Sequence, residues 1–165
     1  MEILLVSPLK ATHIILGKVA PYLLLSLIDA IVVVFLGNVV FGVPIRGSIF
    51  VLAFLVILYI TMALSLGILI STVANSQQVA LFISGFALML PTILLSGFIF
   101  PIENMPVALQ VLSNFMPPRW FIDALKQVML KGNGFAYIWP NVLILSAMTL
   151  FFLGLSVKKF RLRLE

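Results

Sequence analysis

LSGFIFPIENMPVALQVLSNFMPPRWFIDALKQVMLKG, residues 95–132, differs in composition from the chain on either side of it. Its first six residues complete an apolar run, a proline-bounded turn follows, and the remainder mixes polar with apolar side chains. A helix of such mixed composition is too polar to cross a bilayer, whereas the flanking runs are almost entirely apolar. The stretch therefore predicts a helical segment outside the hydrocarbon, between membrane-spanning helices.

The composition of the whole chain indicates a membrane protein. Of its 165 residues, 63% are hydrophobic and 9% are charged, whereas soluble domains have about 45–50% apolar and about 25% charged residues. The net charge of +5 does not indicate nucleic-acid binding, because the basic residues lie mostly outside the apolar runs. The absence of cysteine excludes disulfides and thiolate metal sites.

Four apolar runs are long enough to cross hydrocarbon about 30 Å thick as helices. They cover residues 19–41, 48–70, 79–100 and 138–157. The predicted fold is therefore an all-α membrane protein with four transmembrane helices. Pro91 predicts a kink in the third span, because proline lacks the N–H that the helix needs.

Small residues recur every four positions in the second span, at Ala63, Gly67 and Ser71. This spacing places them on one helix face and predicts close packing against another helix. The alternative is that they reflect only the ordinary composition of membrane helices.

Basic residues indicate which side of the membrane the chain ends occupy. The sequence KKFRLR, residues 158–163, directly follows the last apolar run. Lysine and arginine accumulate in cytoplasmic segments, and four spans place both termini on one side. We therefore predict that residues 1–18 and 158–165 are cytoplasmic and that residues 101–137 are extracytoplasmic.

Residues 119–131 predict an amphipathic helix at the membrane interface. Arg119 and Asp123 are four positions apart on its polar side, a spacing at which they can pair. The simpler alternative is that both belong to a solvated helix face, and that Glu103 is a solvated loop carboxylate. The apolar side carries Phe121, Ile122, Leu125, Val128 and Met129.

Asp29 is the one ionisable residue deep in an apolar run. A charge there costs several kcal/mol unless it is paired, neutralised or hydrated. One interpretation is a polar position on a transport pathway or subunit interface. The other is a neutral acid that bonds to a neighbouring helix and has only a structural role.

Motifs for nucleotide hydrolysis and metal catalysis are missing from the sequence. A P-loop would need a hydroxyl residue after Gly17-Lys18, where Val19 stands, and a glycine where Thr12 stands. His13 is the single histidine and has no partner for a zinc site. We expect no enzymatic activity and no bound cofactor.

Five segments of the chain form a recognisable set: EILLVSPL (2–9), ILGKVAPY (15–22), LSGFIFPIENMP (95–106), PPRWFIDALK (117–126) and LKG (130–132). The most specific feature is the Ser-Gly-Phe-x-Phe-Pro loop with a Pro-x-Arg helix at a fixed distance after it. Together the segments resemble the C-terminal part of an ABC-2-type transporter permease, the membrane subunit of a bacterial ABC exporter.

The resemblance implies that the N-terminal segment is the remnant of a cytoplasmic coupling helix that meets a separate ATPase. It also implies partners: two ATPase subunits that use ATP, a second permease copy or half, and the inner-membrane bilayer. The implied ATPase-contact residues are Glu2, Leu4, Leu5, Ser7, Pro8 and Lys10.

The segment before the last span would match the outer re-entrant helices of the family. Family subunits have six spans, so the chain is expected to be a C-terminal portion or fragment whose spans are the third to sixth. The implied gate residues are Pro101, Glu103, Pro106, Arg119 and Asp123.

Two other functions remain open at this point. One is a membrane assembly factor, or a degenerate permease remnant, that transports nothing. The other is a small ion-coupled secondary transporter that uses Asp29.

Overall fold

The computed structural model describes residues 11–162, with side chains for all of these except residues 11–16, 18, 87 and 160–162. Its α-helices are α1 (Ala11–Val39), α2 (Ile49–Val73), α3 (Gln77–Phe82), α4 (Leu90–Leu95), α5 (Val107–Asn114), α6 (Pro117–Met129) and α7 (Phe135–Leu162). A π-helical segment, Ile83–Met89, joins α3 to α4, and a 3₁₀ turn, Ile102–Asn104, precedes α5.

Four stretches of the described helices are long and apolar enough to cross a membrane. This finding confirms the predicted all-α fold with four candidate spans. The stretches are Val19–Val39, Ile49–Val73, Gln77–Leu95 and Phe135–Lys159.

The third span ends at Leu95, earlier than the predicted boundary at Phe100. Its irregularity begins before Pro91: the Leu90 N–H donates to the Gly85 carbonyl, five residues back, in the manner of a π-helix. Such a segment often marks a functional or strained position within a helix. A π-helical segment thus accompanies the proline that predicted a kink.

The core lies where α2, α6 and α7 meet. Apolar contacts between these helices are supplemented by the Ser156 hydroxyl of α7, which donates to the Ser65 carbonyl of α2 at 3.4 Å. Burial of these side chains fixes α6 against the two spans. The core side chains are Leu52, Leu55, Ala124, Val128, Met129, Ile138 and Val142.

The first and third spans bury little of their surface within the chain. In the most apolar stretch of each of these two spans no residue is buried, whereas 28% of the corresponding stretch of the second span is buried. Large side chains such as Ile31 and Phe86 are more than half exposed. Exposure of this kind is normal where lipid or another subunit covers a helix.

The predicted small-residue face of α2 makes no close helix contact in the described part of the chain. Ala63, Gly67 and Ser71 are exposed, and a Cβ added to Gly67 would have no neighbour within 4 Å. Packing instead uses another side of α2, where Leu55 and Ser65 are buried.

Candidate functional site

A tight turn ends the third span. Ser96 is buried, its N–H donates to the Thr92 carbonyl at 3.1 Å, and its hydroxyl accepts from the Phe98 N–H at 3.3 Å. Gly97 has a φ of +76°, and a Cβ there would lie 3.0 Å from the Ile102 side chain. Only glycine adopts this backbone conformation without strain. The turn directs the chain out of α4 and over α6.

Arg119 connects α6 to α5. Its Nη1 atom donates to Ser113 Oγ and to Asn114 Oδ1 at 2.6 Å each, and to the Gln110 carbonyl at 3.2 Å. The guanidinium also lies 5.2 Å from the centre of the Trp120 ring, within the range of cation–π attraction. Ser113 is fully buried, and its hydroxyl donates to the Gln110 carbonyl at 2.7 Å while it accepts from Arg119, so both its donor and its acceptor are used.

Asp123 connects α6 to α7 instead of pairing with Arg119. Its Oδ2 atom accepts from Asn141 Nδ2 at 2.8 Å and from Gln127 Nε2 at 2.9 Å. Asn141 also donates to the Trp120 carbonyl at 3.0 Å. The Arg119–Asp123 pair that the spacing allowed does not form, because each side chain bonds to a different neighbouring helix.

Asn141 is a residue that the sequence analysis missed. It is an amide in a mainly apolar span, and it is 5% exposed. Buried amides almost always have hydrogen-bonding partners. That rule, applied to the span, would have drawn attention to Asn141 but would not have identified Asp123 as its partner.

The turn between α1 and α2 lies against the C-terminal end of α6. The Arg46 N–H donates to the Met129 carbonyl at 3.0 Å, and a Cβ on Gly47 would lie 2.5 Å from the Val128 carbonyl oxygen. Gly132, after the end of α6, has a φ of +72° and lies against Arg46. The two connections therefore occupy the same end of the helix bundle.

A cavity of about 450 Å³, here called the polar pocket, lies between the turn after α4, the 3₁₀ turn and α6. Its lining includes Pro101, Glu103, Arg119 and Asp123, four of the five predicted gate residues. Pro106, the fifth, is outside the lining and precedes α5, where its carbonyl accepts from the Leu109 N–H. Other polar lining groups are Ser96, Gln110, Trp120 and Lys126.

A second cavity of about 530 Å³, here called the apolar pocket, shares Ser96, Ile122 and Lys126 with the polar pocket. At the shared wall, the Lys126 ammonium donates to the Gly97 carbonyl at 3.1 Å. The sequence analysis assigned no contact to Lys126. The two pockets give this end of the molecule adjacent charged and apolar surfaces.

Two groups of predicted site residues lie elsewhere. Asp29 is exposed on α1, and within the described residues no other helix supplies it with a hydrogen bond. The predicted ATPase-contact residues lie outside the described range: Glu2, Leu4, Leu5, Ser7, Pro8 and Lys10.

The sequence matches the family model described as "ABC-2 family transporter protein" over residues 1–158. The chain is 35% identical over its whole length to the probable multidrug ABC transporter permease YbhS of Escherichia coli, covering 44% of that protein. It is 38% identical to YbhR, a permease of the same description, with 90% of the chain and 41% of YbhR covered.

A third relative is the inner membrane transport permease YhhJ of E. coli, 31% identical over 98% of the chain and 43% of YhhJ. No solved structure gave a significant match. The chain thus spans less than half the length of the curated relatives that it matches. The family model covers nearly the whole chain, and with the four apolar helices it shows that the protein belongs to the ABC-2 transporter family.

Proposed function

We propose that this chain forms part of the membrane-spanning permease of an ATP-driven exporter and contributes to a path that moves an amphiphile outward. The observation that carries the proposal is the unequal burial of the four spans. The first and third spans have no buried apolar stretch within the chain, whereas the second and fourth form its core. Spans with so little internal contact are suited to pack against a second permease copy or homologous half.

The energy source in this proposal is a separate cytoplasmic ATPase. The sequence has no P-loop of its own, and the chain would therefore act as a transport subunit and not as an enzyme. ATP would be bound by the partner, and this chain would hold no cofactor. The N-terminal residues that resemble a coupling helix would receive the ATPase movement.

The proposed location is the bacterial inner membrane, with both termini in the cytoplasm. The basic run after the last span supports this orientation, and one relative is named an inner membrane permease. The polar pocket would then face outward. Residues Pro101, Glu103, Pro106, Arg119 and Asp123 remain the proposed gate positions.

The position of Asp29 favours a role at a subunit interface or on a transport path over a structural role within the chain. It is exposed on a span that buries no apolar stretch within the chain, and an unpaired acid facing lipid is costly. A partner helix or a hydrated path would remove that cost. The same exposure also suits the alternative of an ion-coupled transporter, in which Asp29→Asn would abolish proton-coupled flux.

Co-purification tests the proposal directly. The full chain is co-expressed with a P-loop ATPase of the ABC class and extracted in mild detergent. We expect recovery of the ATPase with the wild-type chain and its loss with Leu5→Asp, while Val107→Asp, at an exposed position of α5 outside the candidate spans, serves as a control for the added charge. Equal recovery of the ATPase with both variants would contradict the proposed contact.

A further inference from the structure

The polar pocket and the apolar pocket are adjacent and share a wall formed by Ser96, Ile122 and Lys126. We propose that they form one binding site for a phospholipid with a zwitterionic headgroup. The headgroup occupies the polar pocket and an acyl chain occupies the apolar pocket. This inference goes beyond the proposed function, because lipid binding is measurable in a chain that transports nothing.

The charges in the polar pocket match a zwitterion better than a simple ion. Glu103 and Asp123 supply two carboxylates, and Arg119 and Lys126 supply two cations. A phosphate can pair with the cations while the headgroup ammonium pairs with the carboxylates. An anionic headgroup would meet uncompensated carboxylates, and a cationic headgroup would meet uncompensated basic groups.

Three of these charges are held in place before any ligand arrives, and Lys126 is held by its bond to the Gly97 carbonyl. Asn141 and Gln127 bond to Oδ2 of Asp123, and three acceptors on α5 hold the Arg119 guanidinium. Prior ordering of binding groups lowers the entropic cost of binding. Side chains that were mobile in the empty pocket would lose more entropy on contact with a ligand.

The apolar pocket has the composition that an acyl chain requires. Its walls are mainly aliphatic and aromatic, and its volume lies within the range of about 300–1,000 Å³ typical of ligand pockets. Phe98 at its edge is 72% exposed, so the pocket opens to the surroundings of the helices. The wall residues are Val43, Ile93, Phe98, Leu125, Met129 and Leu130.

Photo-crosslinking of the full chain in detergent micelles tests the site. The probe is a phosphatidylethanolamine with a photoactivatable diazirine in one acyl chain, and the modified peptides are identified by mass spectrometry. We expect labelling in residues 92–98 and 122–130. Unlabelled phosphatidylethanolamine should suppress the labelling at concentrations about tenfold lower than phosphatidylglycerol or a dialkylammonium lipid, since each charge-assisted contact is worth about that factor.

Variants separate the two ends of the site. In the double variant Glu103→Gln/Asp123→Asn, about tenfold more competing phosphatidylethanolamine should be needed to suppress the labelling. Ile122→Trp should remove labelling in the apolar pocket. Glu165→Gln removes a carboxylate that follows the last apolar run in the sequence and should change nothing. If the double variant loses helical circular dichroism, Glu103→Gln alone replaces it, because the exposed Glu103 side chain contributes no packing.

Four results would overturn the proposal. Equal competition by all three lipids would show ordinary boundary lipid, and labelling confined to α1 would place the lipid elsewhere. Competition by free phosphoethanolamine as strong as by the lipid would indicate a site for a soluble ligand. Loss of labelling on formation of a crosslinked dimer would show that a second copy covers the apolar pocket.

Discussion

The ammonium nitrogen of Lys126 lies 3.1 Å from the carbonyl oxygen of Gly97, twenty-nine positions earlier in the chain. This bond connects the turn that ends the third span to the amphipathic helix α6. It also crosses the wall between the polar and apolar pockets. The bond therefore relates the end of a span to the shape of the proposed site.

Lys126→Met is expected to loosen the turn after α4. Since the natural chain has no cysteine, Ser96→Cys introduces a single thiol at a position that is 3% exposed. Maleimide should label this thiol several-fold faster when Lys126→Met is also present, because a net hydrogen bond of about 1 kcal/mol is lost. Lys131→Met is the matched control, and an equal rate in both backgrounds would show that the Lys126 bond does not hold the turn.

Arg119→Gln is expected to destabilise the contact between α5 and α6. A buried hydroxyl loses a charged donor, and the expected decrease in the free energy of unfolding is about 2 kcal/mol. Thermal unfolding in detergent, followed by circular dichroism, measures the effect. Arg46→Gln removes an exposed arginine and should leave the unfolding temperature nearly unchanged; a similar decrease for both variants would indicate a general charge effect.

Asn141→Leu is expected to lower stability by about 1–3 kcal/mol, because it removes the donor that α7 supplies to Asp123. The same thermal unfolding assay applies. Asn75→Leu, at an exposed position between α2 and α3, controls for the replacement of an amide by an apolar side chain. Unchanged stability of the Asn141 variant would mean that the α6–α7 contact depends on apolar packing alone.

Gly47→Ala is expected to displace the turn between α1 and α2 from α6. The new Cβ would meet the Val128 carbonyl at 2.5 Å, whereas a Cβ at Gly134 would have no neighbour within 4 Å. Overpacking of this kind costs about 1–3 kcal/mol. A lower unfolding temperature for Gly47→Ala than for Gly134→Ala would confirm the close approach, and equal temperatures would contradict it.

Single cysteines can establish the proposed orientation in intact cells. Lys131→Cys lies after α6, and Asn75→Cys lies in the connection between α2 and α3. The proposed topology places these two positions on opposite sides of the membrane. A thiol reagent that cannot cross the inner membrane should label the first and not the second. The reverse pattern would place residues 101–137 in the cytoplasm and overturn the membrane topology.

The number of spans was predictable because hydrophobicity over a bilayer length is a local property of the sequence. The end of the third span was not, since LSGFIF continues the apolar run and hydrophobicity does not register the positive φ of Gly97. The amphipathic character of α6 was predictable for the same reason. The partners of Arg119 and Asp123 were not, because they depend on how α5 and α7 pack around α6.

For the candidate site, too, the sequence identified individual residues but not their contacts. Four of its charged or turn-forming residues were selected from motifs, but their assembly around one cavity required the folded positions of three separate segments. Lys126 was visible only as one polar residue among several. Its bond to Gly97 joins residues whose separation along the chain gives no indication of contact.

The exposed sides of α1 and of the third span have a consequence for how sequence variation acts on this protein. Lipid chains are as apolar as leucine side chains, so hydrophobicity does not drive helices together in a bilayer. Helix association depends instead on shape fit and on hydrogen bonds. Exchanges among leucine, isoleucine and valine at positions such as Ile31 or Leu94 should therefore leave the monomer intact and alter which neighbours it recognises. Divergent copies could in this way acquire separate assembly preferences without any change in their shared core.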